Sequence, residues 1–413
     1  VEFYERFLNH TFGQMLDALV AEGPDKELFV FEETRISYYD FYAQVRQTAK
    51  AFRKLGIKKG DRIAVLFPNR PEFFICQQAA LYMGAVFIML STRYREFELR
   101  YMLKHSAAKC LITLDTYVGA DFVDIIGDLK PEMPDLAHVF VLGDKVPEWC
   151  RPYHDILVIG EETTDDILEE DPPRPEDIAS MLYTSGSTGT PKGVMMSHRA
   201  FIFNAARVCE RLRIVPDDVL LMIAPCSHTM CAFVQFTDAL VARCKIALME
   251  NFDAKGALAL SEKEKVSVIY GVPAMFDMML NHEAFDQYEL GSIRAGYVGG
   301  AFCPERVVRD TIHKMGCQTS CTYGMSENGC CAISDLDDDE DSKATTVGRP
   351  IRGCDIKLTD KNRREVADGE VGEIAIRGPN LFSGYYEQPE ITKQSFDEEG
   401  FFYSGDLGAF DDH

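Results

Sequence analysis

One eleven-residue stretch constrains this chain more than any other: Tyr183-Thr-Ser-Gly-Ser-Thr-Gly-Thr-Pro-Lys-Gly193. After Tyr183 come five Ser/Thr hydroxyls, three glycines, one proline and one lysine. The apolar residues 178–183 before it read as a strand. Residues 194–196 read as a second strand, and a helix-like run begins at Ser197. A loop between two strands that offers hydroxyls, bare N–H groups and one ammonium suits a polyphosphate. Glycine lets the backbone approach a ligand closely, successive N–H groups form an anion-binding concavity, and Lys192 adds a point charge. The stretch is not a Walker A loop, which needs Gly before the Lys and Ser/Thr after it; here Pro191 and Gly193 hold those places. A flexible Gly/Ser/Thr linker is the competing reading, but linkers are not usually framed by two apolar strands.

With 413 residues the chain is too long for one core, and two or three lobes are expected. Apolar content of 46% and charged content of 26% are those of a globular protein. The net charge of −23 argues against nucleic acid or an anionic membrane as partner. The longest uncharged apolar run, residues 79–90, is too short to span a bilayer, and no signal peptide is visible. The chain starts at Val1, so a few leading residues are expected to be missing. Thirteen scattered cysteines without CxxC spacing read as buried, reduced thiols of a cytoplasmic protein.

Strand-like and helix-like segments alternate through the first two thirds of the chain. Residues 29–31, 62–67, 86–90 and 110–114 read as strands. Ser37, with Asp40 three residues on, reads as the N-cap of a helix reaching Leu55; further helices are expected at 71–83 and 96–105. Residues 147–175, rich in Glu, Asp and Pro, read as surface connection. After the loop the alternation resumes, with strands expected at 219–224, 246–249, 266–270 and 296–298 and helices at 201–212, 254–265, 275–280 and 304–315. This pattern indicates parallel sheets with helices on both faces. From about Asp335 the texture changes. An acidic run, residues 335–341, reads as a solvated loop, and short strands between Gly turns read as a small β-barrel or sandwich.

Four more stretches invite chemistry. Pro225-Cys-Ser-His228 follows a strand, where open α/β sheets bind ligands, although a satisfied structural His is an alternative. Val298-Gly-Gly-Ala301 lacks the GxGxxG dinucleotide fingerprint and is weak alone. Thr322-Tyr-Gly-Met-Ser-Glu327 sets a hydroxyl and a carboxylate side by side, and Mg²⁺ takes few carboxylates while sharing phosphate oxygens; a polar turn after a buried strand is the alternative. Tyr403-Ser-Gly-Asp406 offers an acceptor-only carboxylate suited to a vicinal diol, or else an Asp-capped β-turn.

The phosphate-loop stretch, Thr322 to Glu327 and Tyr403 to Asp406 together resemble the AMP-forming adenylating superfamily. That superfamily holds acyl-CoA synthetases, aryl-CoA ligases, peptide-synthetase adenylation domains and firefly-type luciferases. The resemblance runs from about residue 15 to the end. It implies an α/β fold of two stacked α/β sheet subdomains plus a small β-barrel, divided at residues 1–200, 201–334 and 335–413, with the family's mobile C-terminal domain absent. Members continue past this point with a hinge, a ribose-binding Arg and a domain carrying a catalytic Lys, so the chain is expected to be the large N-terminal portion.

The resemblance also implies site residues. Thr184, Ser185, Gly186, Ser187, Thr188, Gly189 and Lys192 would hold ATP phosphates. Gly299, Gly300 and Ala301 would lie against adenine and the acyl group. Thr322, Tyr323, Gly324, Met325 and Ser326 would complete the nucleotide site, with Tyr323 on adenine and Ser326 on the α-phosphate. Glu327 would bind Mg²⁺ and Asp406 the ribose hydroxyls. Lys192, Ser326 and Glu327 would be catalytic. Ser326 and Ser404 stand where the family usually has Thr, which keeps the hydroxyl. The acyl pocket would comprise His228, Thr229, Met230, Phe233, Ala301, Met325 and Cys330. His228 would be a pocket wall and not a base, because carboxylates are already ionised at pH 7. Gly271-Val-Pro273 resembles the segment under that pocket, while Gly348-Arg-Pro350 and Gly384-Tyr-Tyr386 fit the pattern with no chemistry assigned.

The implied reaction activates a fatty or aromatic carboxylic acid with ATP to an acyl-adenylate, releasing pyrophosphate, and then forms a thioester with CoA. A carrier-protein-loading adenylation domain is the first alternative. Amino-acid-loading members usually place an Asp near the position of Cys226-Ser-His-Thr229, which offers no carboxylate. A non-catalytic nucleotide-binding protein is the second, opposed by the joint presence of Lys192, Glu327 and Asp406.

Overall fold

The computed structural model describes residues 1–184 and 191–411. Two large sheets carry the chain. The first has eight strands among the described residues, and its centre is parallel. There Arg62–Leu66 lies between Val86–Met89 and Cys110–Leu114. Ile178–Thr184 joins this sheet parallel to Val86–Met89 and pairs antiparallel with Lys192–Ser197, so the stretch carrying the glycines and hydroxyls springs from a hairpin. The second sheet has nine strands, with a parallel centre built from Val219–Met222, Lys245–Leu248, Val268–Gly271, Ala295–Val298 and the start of Gln318–Met325.

Alternation along these strands explains the layering. Ile63 and Val65 face one core with Ile112, while Ala64 and Leu66 face another with Leu111. Leu220 and Met222 share that first core, whereas Leu221 and Ile223 face a third. The central core is therefore common to both sheets and holds the helices Tyr38–Lys54, Pro71–Tyr82, His198–Leu212 and Phe236–Ala242. Strands buried on both faces read as continuous apolar runs, which is why the sequence shows them so plainly. Phe29, Phe41, Phe74 and Phe236 form an aromatic cluster there, with Phe74 and Phe236 centroids 4.7 Å apart.

Local signals that the sequence offers are realised in side-chain bonds. Ser37 accepts from the Asp40 N–H at 3.0 Å and Asp40 accepts back from Ser37, forming a capping box. Twelve of the thirteen cysteines are buried and Cys303 is half-buried; all are free thiols.

Some expectations need correction. The strands after Asp335 do not close into a barrel: Asp355–Thr359, Gly372–Arg377 and Phe402–Gly408 form a three-stranded antiparallel sheet. Three short strands cannot curl far enough to meet edge to edge. Residues 147–175 are more than connection, since they contain the helix His154–Glu161. Gly160 sits so close to the helix Tyr38–Lys54 that a Cβ would lie 1.9 Å from the Gln47 carbonyl oxygen. The acidic run is partly ordered: Arg213 pairs with Asp335 and Asp337, and the Lys343 ammonium donates to the Leu336 carbonyl at 2.6 Å. Sheet membership also does not follow chain order. Glu27–Phe31 and Thr34–Ser37 lie in the second sheet, beside Lys245–Leu248, and Gly384–Tyr385 adds to the first sheet beside Lys192–Ser197. That last pairing brings the end of the chain against the hairpin. No helix among the described residues is long and apolar enough to cross a membrane.

Candidate active site

Thr184 and Lys192 are register partners across the hairpin. Ser185, Gly186, Ser187, Thr188 and Gly189, expected to hold phosphates, lie outside the described residues. The Lys192 ammonium sits 4.7 Å from the centroid of the Tyr385 ring, a cation–π distance. No ion pair neutralises it among the described residues.

The Tyr385 hydroxyl in turn donates to Glu327 Oε1 at 3.0 Å. Glu327 is buried. Burial pushes its carboxyl above the ordinary range, while the Tyr385 hydrogen bond and the Lys192 charge pull it back. Its own backbone N–H adds a further hydrogen bond to the carboxylate, and no ion pair reaches it among the described residues.

Glu327 stands in the turn between Gln318–Met325 and Gly329–Ile333. The Met325 N–H donates to Asn328 Oδ1 at 3.0 Å and the Asn380 amide donates to the Asn328 carbonyl at 2.8 Å, which lock the turn. Gly324 is required there: a Cβ would lie 1.8 Å from the Gly329 carbonyl oxygen. On the preceding strand the Tyr323 hydroxyl donates to Asp406 Oδ2 at 2.8 Å. Ser404 holds the Asp406 turn, accepting from the Asp406 N–H at 3.1 Å and donating to the Ile374 carbonyl at 2.8 Å. Two contact chains thus converge here, Lys192–Tyr385–Glu327 and Tyr323–Asp406, carried by the two large sheets and the three-stranded one.

Beside them opens a cavity of about 300 Å³. His228, Thr229, Met230, Met325 and Cys330 line it, as do Gly300, Thr322, Gly324 and Ser326. The expected acyl and nucleotide residues are therefore largely neighbours. Burial, aided by Arg93, holds the His228 imidazole below its ordinary range and so neutral near pH 7. Besides Thr184 and the residues of the two contact chains, three expected residues fall outside the lining. Phe233 is fully buried and stacks on Phe201 with centroids 4.0 Å apart, so it belongs to the core and not to the pocket wall. Residues 230–235 form a π-helix, whose wider turn sets Met230 and Val234 on the cavity face and turns Phe233 inward. Gly299 is buried, where a Cβ would lie 2.7 Å from Thr322 Cγ2. Ala301 is exposed.

Sequence reasoning passed over Tyr297 and Val234, which also line the cavity, and Tyr385. Tyr297 and Val234 sit in apolar runs that read as plain core. Tyr385 lies in a noted motif, but only the strand pairing shows that it faces Glu327. A second cavity of about 240 Å³ shares His228 and Pro225 with the first and reaches Arg93, Glu250 and Asn251. Among the described residues, no group of three or more His, Cys, Asp or Glu side chains could hold a metal.

Comparison with known proteins places this geometry. The family model described as AMP-binding enzyme matches residues 16–386. YngI of Bacillus subtilis (strain 168), which carries the name acyl-CoA synthetase, is 30% identical over 98% of this chain and 77% of its own length. The medium-chain fatty-acid–CoA ligase of Escherichia coli (strain K12) is 32% identical over 86% of this chain, which spans only 62% of that enzyme's length. The crystal structure of ATP-bound MatB from Rhodopseudomonas palustris is similar with a TM-score of 0.85 at 27% identity, covering 98% of this chain and 77% of that one. With the fold, the paired motifs and this match in agreement, the chain belongs to the AMP-binding enzyme family.

Proposed function

We propose that this chain supplies the adenylating site of an ATP-dependent acid–CoA ligase. A carboxylate oxygen of the acid would attack the α-phosphorus of ATP, forming the acyl–O–P bond as pyrophosphate leaves. The CoA thiol, losing its proton, would then attack the acyl carbonyl and release AMP. The observation that carries this reading is the convergence of Lys192, Tyr385 and Glu327 with Tyr323 and Asp406 beside a largely apolar cavity.

Roles follow from chemistry. Thr184, Lys192 and the loop between them would hold the β- and γ-phosphates. Ser326 and Thr322 lie on the cavity side where the α-phosphate and acid would meet. Tyr323 and Asp406 would receive base and ribose. The residues fit Mg²⁺, because Glu327 is a buried carboxylate with no ion pair among the described residues, and a nucleotide-borne ion needs few protein carboxylates. Glu327 would hold the ion, which when bound would offset phosphate charge. Catalysis of this kind is positioning plus charge stabilisation, with no covalent side-chain step.

The apolar lining by Met230, Val234, Val272 and Cys330 favours an aliphatic or aromatic acid over an amino acid. The names of similar proteins lean the same way, since they include a medium-chain fatty-acid–CoA ligase and a 4-coumarate–CoA ligase of Solanum tuberosum. CoA over a carrier protein as acceptor rests on those names alone. The test is acid-dependent exchange of labelled pyrophosphate into ATP, screened over fatty and aromatic acids. Exchange stimulated by at least one such acid is expected; exchange driven only by amino acids would overturn the assignment.

A further inference from the structure

The floor of the cavity carries a polar group that the protein itself leaves unused. Tyr297 is 2% exposed and lines the cavity beside Met230, Val234 and Cys330. Its ring stacks on Tyr270, with centroids 4.2 Å apart and planes 19° apart. The Tyr270 hydroxyl donates to Asp238 Oδ2 at 3.0 Å, and desolvation raises the fully buried Asp238 carboxyl far above its ordinary range. The stack is thus anchored from below and holds the Tyr297 ring in one place. Yet no hydrogen bond reaches the Tyr297 hydroxyl among the described residues, whereas buried tyrosine hydroxyls usually have a partner. Met230, Val234 and Val272, which share the lining, offer no side-chain acceptor of useful strength.

We propose that the acid bound here carries an oxygen function on its hydrocarbon portion, a hydroxyl, ether or carbonyl, and that it pairs with the Tyr297 hydroxyl. The proposal rests on the adenylating reading above and narrows its substrate class. It follows from geometry: Tyr297, held by its stack on Tyr270, lines the space that the acyl group would fill, with no hydrogen bond to its hydroxyl among the described residues, and an all-alkyl acid would bring that hydroxyl no partner. A site of this construction discriminates by the penalty on the analogue that lacks the group. The competing occupant is a buried water between Tyr297 and Asp238 Oδ1, which also lacks a partner. That arrangement predicts no preference.

The test uses non-hydrolysable N-acylsulfamoyl adenosines, which report binding without turnover, on this chain and on Tyr297→Phe. Three kinds of probe are compared by calorimetry: sulfamoyl adenosine with no acyl group, plain acyl probes (3-phenylpropanoyl, octanoyl), and their oxygenated partners (3-(4-hydroxyphenyl)propanoyl, 5-oxo-octanoyl and 7-hydroxyoctanoyl). At least one oxygenated probe should bind about 10- to 100-fold tighter than its plain partner. Tyr297→Phe should reduce that ratio to within about 3-fold, with the affinity for the unacylated probe and the melting temperature unchanged. Equal binding of both members of every pair, or a preference that survives Tyr297→Phe, overturns the proposal while leaving the adenylating reading standing. Failure of every probe, the unacylated one included, to bind wild type overturns that reading and the proposal with it.

Discussion

At the scale of single residues, Glu327 shows a site working against stability. Its carboxyl is raised by burial, so ionisation is less favourable in the folded chain than in the unfolded one. The sign follows from linkage: as pH rises past the unfolded carboxyl value, the unfolded state loses its proton first and stability falls. Glu327→Gln removes that penalty and keeps an acceptor for Tyr385. It should raise the melting temperature at pH 7.5 by a few degrees while weakening Mg²⁺-dependent nucleotide binding at least 10-fold, measured by thermal scanning and calorimetry. Lys192→Ala should lower acid-dependent pyrophosphate exchange by about 10²- to 10³-fold, the usual cost of one preorganised partner for developing charge. The roles proposed for Ser326 and Glu327 come from the resemblance of their motif to the adenylating superfamily, and the coordination chemistry of Mg²⁺ is compatible with them. The contribution of Tyr385 could not be read so, because it depends on a pairing between strands almost two hundred residues apart.

At the scale of elements, most strands with both faces buried were legible, although His138–Leu142, with Phe140 in one core and Val139 and Val141 in another, was not picked out. The hairpin Ile178–Thr184 and Lys192–Ser197 was legible from its apolar flanks. Phe233 entered the expected pocket through the family resemblance alone, and the π-helix at 230–235, for which no local signal was read, turns it into the core. The three-stranded sheet at the end was misjudged because short strands between Gly turns do not reveal whether their edges meet. The turn before Glu327 makes a sharp prediction. Gly324→Ala puts a Cβ into the Gly329 carbonyl, so the turn must open, and we expect about 2–4 kcal/mol of lost stability by urea unfolding together with lost nucleotide binding. The helix His198–Leu212 supplies a pH-dependent joint. His198 is fully buried, accepts from the Phe12 N–H at 3.3 Å and is held to about 4 by desolvation. Its neutral form contributes stability above pH ~6.5 that is lost as pH falls towards 4, on the order of 3 kcal/mol. The melting temperature of His198→Gln should therefore fall less steeply than wild type between those pH values.

At the scale of the molecule, the central core joins the two large sheets, and strands from distant parts of the chain complete each of them. Phe236 meets Phe29, Phe41 and Phe74 within that core. Phe236→Ala should cost about 3–5 kcal/mol and shift the thermal transition as a whole, without splitting it into two by calorimetry. The alternation of strands and helices made the layered architecture readable; the exchange of Glu27–Phe31 and Gly384–Tyr385 between regions was not, since no local pattern encodes a distant partner. The pairing of Gly384–Tyr385 with Lys192–Ser197 and the Tyr323–Asp406 hydrogen bond bring residues of three sheets to one site in a chain of net charge −23.

The central claim is that the hairpin and the Tyr323–Asp406 pair hold opposite ends of one nucleotide. Calorimetric affinities for AMP and for MgATP in wild type, Lys192→Ala and Asp406→Asn test it most directly. The account predicts that Asp406→Asn weakens both ligands about 10- to 100-fold, while Lys192→Ala weakens MgATP by a similar factor and leaves AMP within about 3-fold. Affinities for both ligands that are indifferent to both substitutions, or a loss of AMP binding in Lys192→Ala with Asp406→Asn unaffected, would contradict it.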